Sequence, residues 1–484
     1  MSVPETPYTR GEMYLSAIAD GDSGGIPEGP YTRKEMYLDA IARGDSSGIP
    51  ERPYTREEMY LDAIAKNGGG GGGGSVSPKQ VNFIDYDGTV LYAYTAQEAQ
   101  ALSALPANPS HSGLTAQGWN WTLQEIKAQL TAAPDGPVWV GQMYVTQSGD
   151  TEIDVRFADA ARLSPILTIA VNGTVTVDWG DNTTADTVTG SSLTTRQAVP
   201  HTYAAPGDYT MKIHVVSGSF TFYGSNSYTI LRKNTTGHEN GVYANCVQAV
   251  RLGIGITSIG GSAFYNCYSL ASITIPSGVT SIGGSAFYNC YSLASITIPS
   301  GVTSIGGGPF SYCYSLASLT IPSGVTSIGN SAFSYCYSLA SLTIPSGVTS
   351  IGNSAFSYCY SLASLTIPSG VTSIGNSAFY NCYRLAPITI PSGVTSIGDS
   401  AFYNCNSLAS LTIPSGVTSI GGSAFYNCYG VAEYHIKPTS VPTGGTTMFS
   451  GIVSDCVIYV PSAKLNDYKT ATNWSTYASY MQGE

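Results

Sequence analysis

Eight of the ten cysteines, Cys267, Cys290, Cys313, Cys336, Cys359, Cys382, Cys405 and Cys428, recur at intervals of 23 residues. Thiols in so regular a series have three chemistries open to them: disulfide formation, metal ligation or packing. Stacked units would hold equivalent backbones at least ~4.8 Å apart with parallel Cβ vectors, whereas a disulfide needs converging Cβ atoms ~3.8 Å apart. No histidine accompanies the series and no C-x-x-C pair is present, so the spacing does not suit zinc either. The cysteines are expected to be reduced and buried, packing as small hydrophobes. The five histidines, His111, His201, His214, His238 and His435, are scattered. With no Ser/His/Asp, Cys/His or metal constellation, the chain is expected to be no enzyme and to carry no cofactor or metal.

The tyrosines offer a different chemistry. The residue after each of these cysteines is Tyr268, Tyr291, Tyr314, Tyr337, Tyr360, Tyr383, Asn406 and Tyr429, and a second aromatic lies beside it in the alternatives Phe-Tyr-Asn-Cys and Phe-Ser-Tyr-Cys. If each cysteine points inward, its tyrosine neighbour points outward, giving an exposed ladder ~35 Å long at strand-like spacing. Tyr with Ser and Asn is the composition of surfaces that combine aromatic area with adaptable hydrogen bonds. The seven tyrosines of this ladder are the candidate ligand-binding residues; stacking that only stabilises the coil is the competing reading. Between Arg251 and Tyr429 only Arg251, Arg384 and Asp399 are charged, so the face suits a glycan or a neutral protein epitope. The units differ where Gly, Asn, Asp, Ser and Tyr exchange, as at Gly284, Asn330 and Asp399 or at Tyr288 and Ser311. Diversification of a contact face and recent tandem duplication both explain this, duplication with fewer assumptions.

The element that positions these side chains is a 23-residue unit, SAFYNCYSLASITIPSGVTSIGG and its variants, running from Ser262 to Tyr429. Ile273 and Ile275 alternate with Thr274 as in a strand, Pro276-Ser277-Gly278 ends it with a turn, and Ala263, Phe264 and Cys267 fit one helical or 3₁₀ turn. A repeat this strict predicts a solenoid whose units bury their apolar side only against neighbours. The pattern L-x-x-I-x-I-P-x-x-V-x-x-I-G-x-x-A-F-x-x-C resembles the BspA-like leucine-rich repeats of bacterial surface proteins and some parasites. The resemblance covers eight units and implies a leucine-rich-repeat solenoid with a role in adhesion or recognition. After Tyr429 the pattern decays into what reads as a capping strand and an amphipathic helix carrying Trp474.

A second 23-residue repeat opens the chain, in three copies of PYTRxEMYLxAIA type. Each carries a capping box, Thr9 to Glu12, Thr32 to Glu35 and Thr55 to Glu58. Helices of about ten residues are marginal alone, so Tyr8, Met13, Tyr14, Tyr31, Met36, Tyr37, Tyr54, Met59 and Tyr60 are expected to dock on a partner, with a small bundle or plain linker as the alternative. These segments are similar to the starts of minor structural proteins of phages infecting Gram-positive gut bacteria. A heptaglycine run, 68–74, follows as a tether.

Residues 81–145 read as a small mixed module, with a helix capped by Thr95 and Glu98, the cluster Trp119-Asn120-Trp121 and a helix over 123–130. Its DYDGTVL segment, 85–91, resembles the first motif of haloacid-dehalogenase phosphotransferases, which implies Asp85 as nucleophile and Asp87 as acid/base, with Gly180-Asp181 and Asp186 imitating a later acidic motif. The lysine and second acidic cluster of that family have no counterpart here, and a hairpin turn is the simpler account of Asp87-Gly88. Farther on, VNGTVTVDWGDNTT and VPHTYAAPGDYTMKIHVV resemble the polycystic-kidney-disease-type immunoglobulin-like domain, through Val177, Trp179, Gly180 and Asp181 and through His201, Tyr203, Gly207 and Tyr209. Asn182 replaces the usual glycine. The family implies a spacer or carbohydrate-associated β-sandwich; a calcium site at Asp178 or Asp181 and turn hydrogen bonding are the readings open there.

The expected fold is mainly β and multi-domain. Helical docking repeats (1–67), a glycine-rich linker (68–78), the mixed module (79–148), the β-sandwich (149–232), the solenoid (233–430) and a C-terminal cap (431–484) follow one another. A net charge of −11 without a basic patch argues against nucleic acid. The lack of any run of 18 apolar residues argues against membrane insertion. The N-terminus shows no apolar signal region. From sequence, the first expectation is a virion-associated fibre or decoration protein, anchored to a capsid or tail protein by its N-terminal repeats and meeting a host-surface glycan or protein with its leucine-rich repeats. A bacterial cell-surface adhesin is the alternative, and self-association is compatible with either.

Overall fold

The computed structural model describes residues 81–132, 137–222, 229–233 and 241–484. The three N-terminal repeats, with all nine of their candidate docking residues, and the glycine run lie outside these residues.

The 23-residue units stack as the coils of a solenoid. One parallel ladder is built from the Ile/Leu-Thr alternation, as in Ser295↔Ser318 and Ile296↔Leu319. A second comes from Ser-Ile pairs such as Ser350↔Ser373 and Ile351↔Ile374. Partners are always one repeat apart. Between the ladders, Pro-Ser-Gly closes a tight turn in which Val279 N–H donates to Pro276 O at 3.1 Å. The third side holds two left-handed residues per unit: a serine, as Ser262 (φ 55°), and an asparagine before the cysteine, as Asn266 (φ 61°). Left-handed backbone turns those N–H groups onto the next coil, Ser262 to Gly284 O at 3.0 Å and Asn266 to Tyr288 O at 2.9 Å. This side is thus hydrogen-bonded between coils without being strand. Asn tolerates the conformation, and in the third unit Gly308 (φ 59°) replaces the serine.

Inside, the phenylalanines form one continuous stack from Phe264 to Phe449, with neighbouring centroids 5.2 to 5.7 Å apart. The Phe and Cys of every unit, with the Ala, Leu and Val of most of them, are buried beside it. A degenerate turn flanks the eight units at each end. Before them, Ala249 and Val250 pair in parallel with Ser272 and Ile273. After them, Thr447 and Gly451 take the two left-handed places. The end is closed by Val457–Val460, a helix Leu465–Thr470, a 3₁₀ turn Ser475–Tyr480 and Met481–Gly483. The helix was expected to carry Trp474, but it stops short: Ala471 is extended and its N–H tightens back onto Asp467 O and Tyr468 O. Trp474 lies beyond it, fully buried, with its indole donating to Pro442 O at 2.8 Å.

Strands β1 (Val81–Ile84), β2 (Val90–Tyr94), β3 (Leu114–Trp119) and β4 (Val138–Thr146) form a sheet ordered β2-β1-β4-β3, accompanied by helices α1 (Ala96–Ala101) and α2 (Leu123–Ala132). The capping box at Thr95 and Glu98 is complete. Phe83, Trp119, Trp121, Ile126 and Leu130 make the core of this module.

Strands β5 (Thr151–Phe157), β6 (Ile166–Asp178), β7 (Asp186–Pro200), β8 (Gly207–Phe222) and β9 (Leu231–Arg232) lie in the stretch read from sequence as a sandwich. They hydrogen-bond as one sheet, irregular between Ala170 and Asn172 and between Thr174 and Val175. Through β10 (Val247–Arg251) this sheet continues directly into the first ladder of the solenoid. A single apolar core accordingly runs from Ile153 to Met481. The sheet serves as the N-terminal cap that a stack of open-ended coils requires.

The module of β1 to β4 rests on the strand ladder. Asn120 donates to Ile298 O at 3.1 Å and to Thr320 Oγ1 at 2.9 Å, and Trp121 donates to Ile321 O at 2.8 Å. Gln129 bridges Ile344 O and Ser346 N, and Trp139 takes Thr343 Oγ1 and Ser341 Oγ. Thr274, Thr297, Thr320 and Thr343 are buried, whereas Thr389 and Thr412, one and two coils past the half-buried Thr366, are exposed.

Candidate functional site

The seven tyrosines that follow the cysteines are placed on one side of the solenoid. Six of them, Tyr268 to Tyr383, stack ring on ring with centroids 4.5 to 5.3 Å apart. The row ends at Asn406, beyond which Tyr429 stands alone and half exposed. The open ladder of ring faces expected from sequence is therefore corrected. Stacking at the repeat rise consumes both faces of every inner ring, and Tyr337 and Tyr360 are only 1% and 9% exposed. Burial first, and then the neighbouring phenols, push the Tyr291 hydroxyl above its ordinary range, so it stays neutral.

A second row begins one residue after the core phenylalanine. Tyr265 stacks on Tyr288 at 4.9 Å, and Tyr380, Tyr403 and Tyr426 continue the row at 4.7 and 4.8 Å. In the three units between, this place holds Ser311, Ser334 and Ser357, and the tyrosine has moved one position to Tyr312, Tyr335 and Tyr358. There it occupies the left-handed place that asparagine holds elsewhere, with φ 62° in all three. The displaced rings stack tightly on one another at 4.3 Å and meet Tyr314, Tyr337 and Tyr360 edge-on at 5.9 to 6.1 Å. This second contact is what covers the middle of the first row.

Where three rings of the second row are missing there is a trough of about 400 Å³. Buried Ser311, Ser334 and Ser357 lie deepest, half-buried Ser331, Ser354 and Ser377 flank them, and Tyr288 and Tyr380 stand at the two ends. Every lining residue is Tyr or Ser. The Tyr288/Ser311 exchange is visible in the sequence, but the trough it makes was not read there. The signal that would have found it is the occurrence of Phe-Ser-Tyr-Cys in three adjacent units.

The Gly/Asn/Asp exchange has a structural use. The Asn330 side chain accepts from Asn353 N, Asn353 from Asn376 N, Asn376 from Asp399 N and Asp399 from Gly422 N, at 2.6 to 2.9 Å. All ten cysteines are buried and in the thiol form, none joined in a disulfide. Each cysteine of the series from Cys290 onward donates its S–H to the phenylalanine carbonyl of the preceding coil, as Cys290 to Phe264 O at 3.2 Å. Burial raises these thiols, that of Cys428 to about 12.

The acidic candidates are committed to local structure. Asp85 is buried and accepts from Tyr144 Oη at 2.7 Å, with His111 Nε2 at 2.6 Å. Asp87-Gly88 turns the β1–β2 hairpin, with Gly88 at φ 88° and Thr89 N–H bonded to Asp87. Asp178 accepts from Gly180 N, Asp181 from Thr183 and beside His201, and Asp186 from the Trp179 indole. The His201 ring stacks on Trp179 at 4.5 Å. The described residues contain no group of three or more side chains placed to hold a metal ion, and no helix long and apolar enough to cross a membrane.

The family model for the BspA type leucine-rich repeat region matches residues 216–340 and 326–454. A leucine-rich repeat protein from T. pallidum is 30% identical over 38% of this chain and 83% of that one, with a TM-score of 0.30. A leucine-rich cell surface protein from Faecalibacterium prausnitzii A2-165 is 28% identical over 47% and 76%, with a TM-score of 0.23. The pneumococcal vaccine antigen PcpA is 16% identical over 56% and 84%, with a TM-score of 0.27. No curated protein matches the sequence. Through residues 216–454 the chain belongs to the BspA-type leucine-rich repeat family.

Proposed function

We propose that this chain is a non-catalytic binding protein of the bacterial cell-surface type, which contacts its target through the tyrosine- and serine-lined side of the solenoid. The observation that carries the reading is the trough between Tyr288 and Tyr380: a concave, uncharged feature lined by aromatic rings and hydroxyls, on a repeat scaffold of a family of surface proteins. The acidic residues considered for chemistry, Asp85, Asp87, Asp178, Asp181 and Asp186, are each engaged in local hydrogen bonds. A virion-associated protein is the second reading, and the similarity of the PYTRxEMYLxAIA segments to phage structural proteins is what favours it. Fractionation of a producing culture tests the two: recovery of the chain in the cell envelope supports the first, and recovery in purified particles, cross-linked through Lys34 or Lys66 to a capsid or tail protein, supports the second. Labelled full-length protein that fails to bind any bacterial or epithelial cell would overturn the binding role itself.

A further inference from the structure

The trough results from a paired exchange. In three adjacent units serine takes the place of the second-row tyrosine, and tyrosine takes the place of the left-handed asparagine. A β-carbon in left-handed backbone is strained, and asparagine tolerates it better than tyrosine does. The five units that keep Phe-Tyr-Asn-Cys show that the coil closes without the exchange. Its product is a slot in line with the second row. Tyr288 stacks on Tyr265 and meets Tyr312 at a tilt, 5.1 Å between centroids, and Tyr380 stacks on Tyr403 and meets Tyr358 at a tilt, 5.4 Å, so that an aromatic pair bounds each end of the slot.

We propose that this slot binds an uncharged, unbranched oligosaccharide lying along the solenoid axis, its terminal rings packed against Tyr288 and Tyr380 and its hydroxyls bonded to the serines between. The inference rests on the surface-binding reading above and names the ligand class of that site. Three properties select a sugar. The side chains of Ser354 and Ser357 end in hydroxyls that both donate and accept, as vicinal diols do, while those of Ser311 and Ser334 donate to Ser331 O and Ser357 O and keep only their acceptor side for a ligand. Aromatic rings at the ends offer apolar area to sugar C–H faces. No charged side chain lines the slot to hold a phosphate, a carboxylate or an ammonium group. An extended peptide would need backbone partners along its length, but the N–H groups here are spent between coils, as Tyr312 to Ser334 O and Tyr335 to Ser357 O, both at 2.8 Å. A volume of about 400 Å³ is in the range of small-ligand sites.

The test compares the full chain with a variant carrying S311Y, Y312N, S334Y, Y335N, S357Y and Y358N. This gives the three units the Phe-Tyr-Asn-Cys of their neighbours and fills the slot with a continued ring stack. Both are applied to an array of neutral glucose, mannose, galactose and N-acetylglucosamine oligomers, and to cells with and without periodate or protease treatment. The expected result is binding of a neutral oligomer by the full chain, weakened about tenfold or more in the variant. Equal binding by the variant overturns the slot as the site. Cell binding that resists periodate and is lost on protease treatment overturns the sugar class while the surface-binding reading stands. Failure to bind any cell overturns that reading as well. Should the variant not fold, Tyr288→Ser with Tyr380→Ser removes the end rings without touching the buried core, and undiminished oligosaccharide binding there overturns the proposal equally.

Discussion

Trp121 donates its indole N–H to the backbone oxygen of Ile321 at 2.8 Å, across 200 residues of sequence. The bond pins the β1–β4 module to the strand ladder, and with Asn120, Gln129 and Trp139 it closes that face over the first four coils. The tyrosine side and the strand side are therefore unequal as binding surfaces. In the first four coils the Ile/Leu-Thr ladder is occupied from within by the module, which the tyrosine side is not.

Gly141 shows how close this docking is. A Cβ there would overlap the side chains of Thr297 and Thr320, so Gly141→Ala is expected to displace the module while leaving its own core, on the other face of the sheet, in place. Hydrogen exchange should show faster exchange at Ile298 and Thr320 and at the Trp121 and Trp139 indoles, with the Phe stack still protected. Replacing Trp121 by Phe keeps the ring but leaves the buried Ile321 oxygen without its donor, and a loss of about 1–3 kcal/mol is expected in a denaturant titration. Unchanged exchange in Gly141→Ala would show that the face tolerates a methyl group there.

Seven of the eight units place a serine at the first left-handed position, Ser400 at φ 52° among them, while the third unit uses Gly308. A non-glycine residue there costs about 1–2 kcal/mol of backbone energy, and glycine loses roughly 0.5–1 kcal/mol more chain entropy on folding. Ser400→Gly is thus expected to stabilise the protein slightly, by up to about 1 kcal/mol. A rise in the urea midpoint at unchanged slope would bear this out; a fall would mean that the Ser400 hydroxyl holds something in place.

The solenoid was legible because one unit repeated eight times states its own periodicity: Ile273 and Ile275 mark the strand, Pro276 its end and Cys267 the inward turn. The exposure of the tyrosines was not. Whether Tyr337 is open depends on Tyr335, which depends in turn on a left-handed residue, and alternation of inward and outward side chains carries no information about that second contact. The docked module was hidden for another reason. The Ser-x-Thr surface that receives Asn120 and Trp139 recurs in nearly every unit, so nothing local distinguishes the coils that are covered from those that are not. Continuity of the β5–β9 sheet with the first coil is likewise a contact between distant segments, Ile153 with Val250.

The cysteine series should be chemically silent in the native state. The thiolate is the reactive form, and burial raises Cys290, Cys336, Cys382 and Cys405 well above the ordinary thiol range. Modification by a disulfide reagent at about pH 8 is expected to begin only when denaturant opens the coils, and then to proceed cooperatively. Cys336→Ala deletes both a buried sulfur and the donor to Phe310 O. A loss of about 1–3 kcal/mol is expected from cavity and hydrogen bond together. Labelling in native buffer at more than one site would contradict the buried ladder.

The seam between the sheet cap and the solenoid is one place where acid should act, beside the other carboxyls held below their ordinary values, Glu125, Asp181 and Glu484. Arg251 reaches Asp154 with two nitrogens at 2.7 Å and Glu152 with a third at 3.0 Å. Burial alone would raise the Asp154 carboxyl, but the Arg251 hydrogen bond and charge outweigh it and hold the group below its usual value. A carboxyl that binds its proton less readily when folded adds stability wherever it is ionised in the unfolded chain, above about pH 4, and the contribution drains away as pH falls through its lower folded value. The melting temperature is expected to be flat from about pH 7 to 5 and to fall below about pH 4. Replacing Arg251 by Gln lowers the plateau and removes this pair's share of the acid limb, because burial of Asp154 is then no longer outweighed by the guanidinium that held its carboxyl below the usual value. An acid limb of the same steepness in the Arg251→Gln protein would place the acid-sensitive contact elsewhere than at this seam.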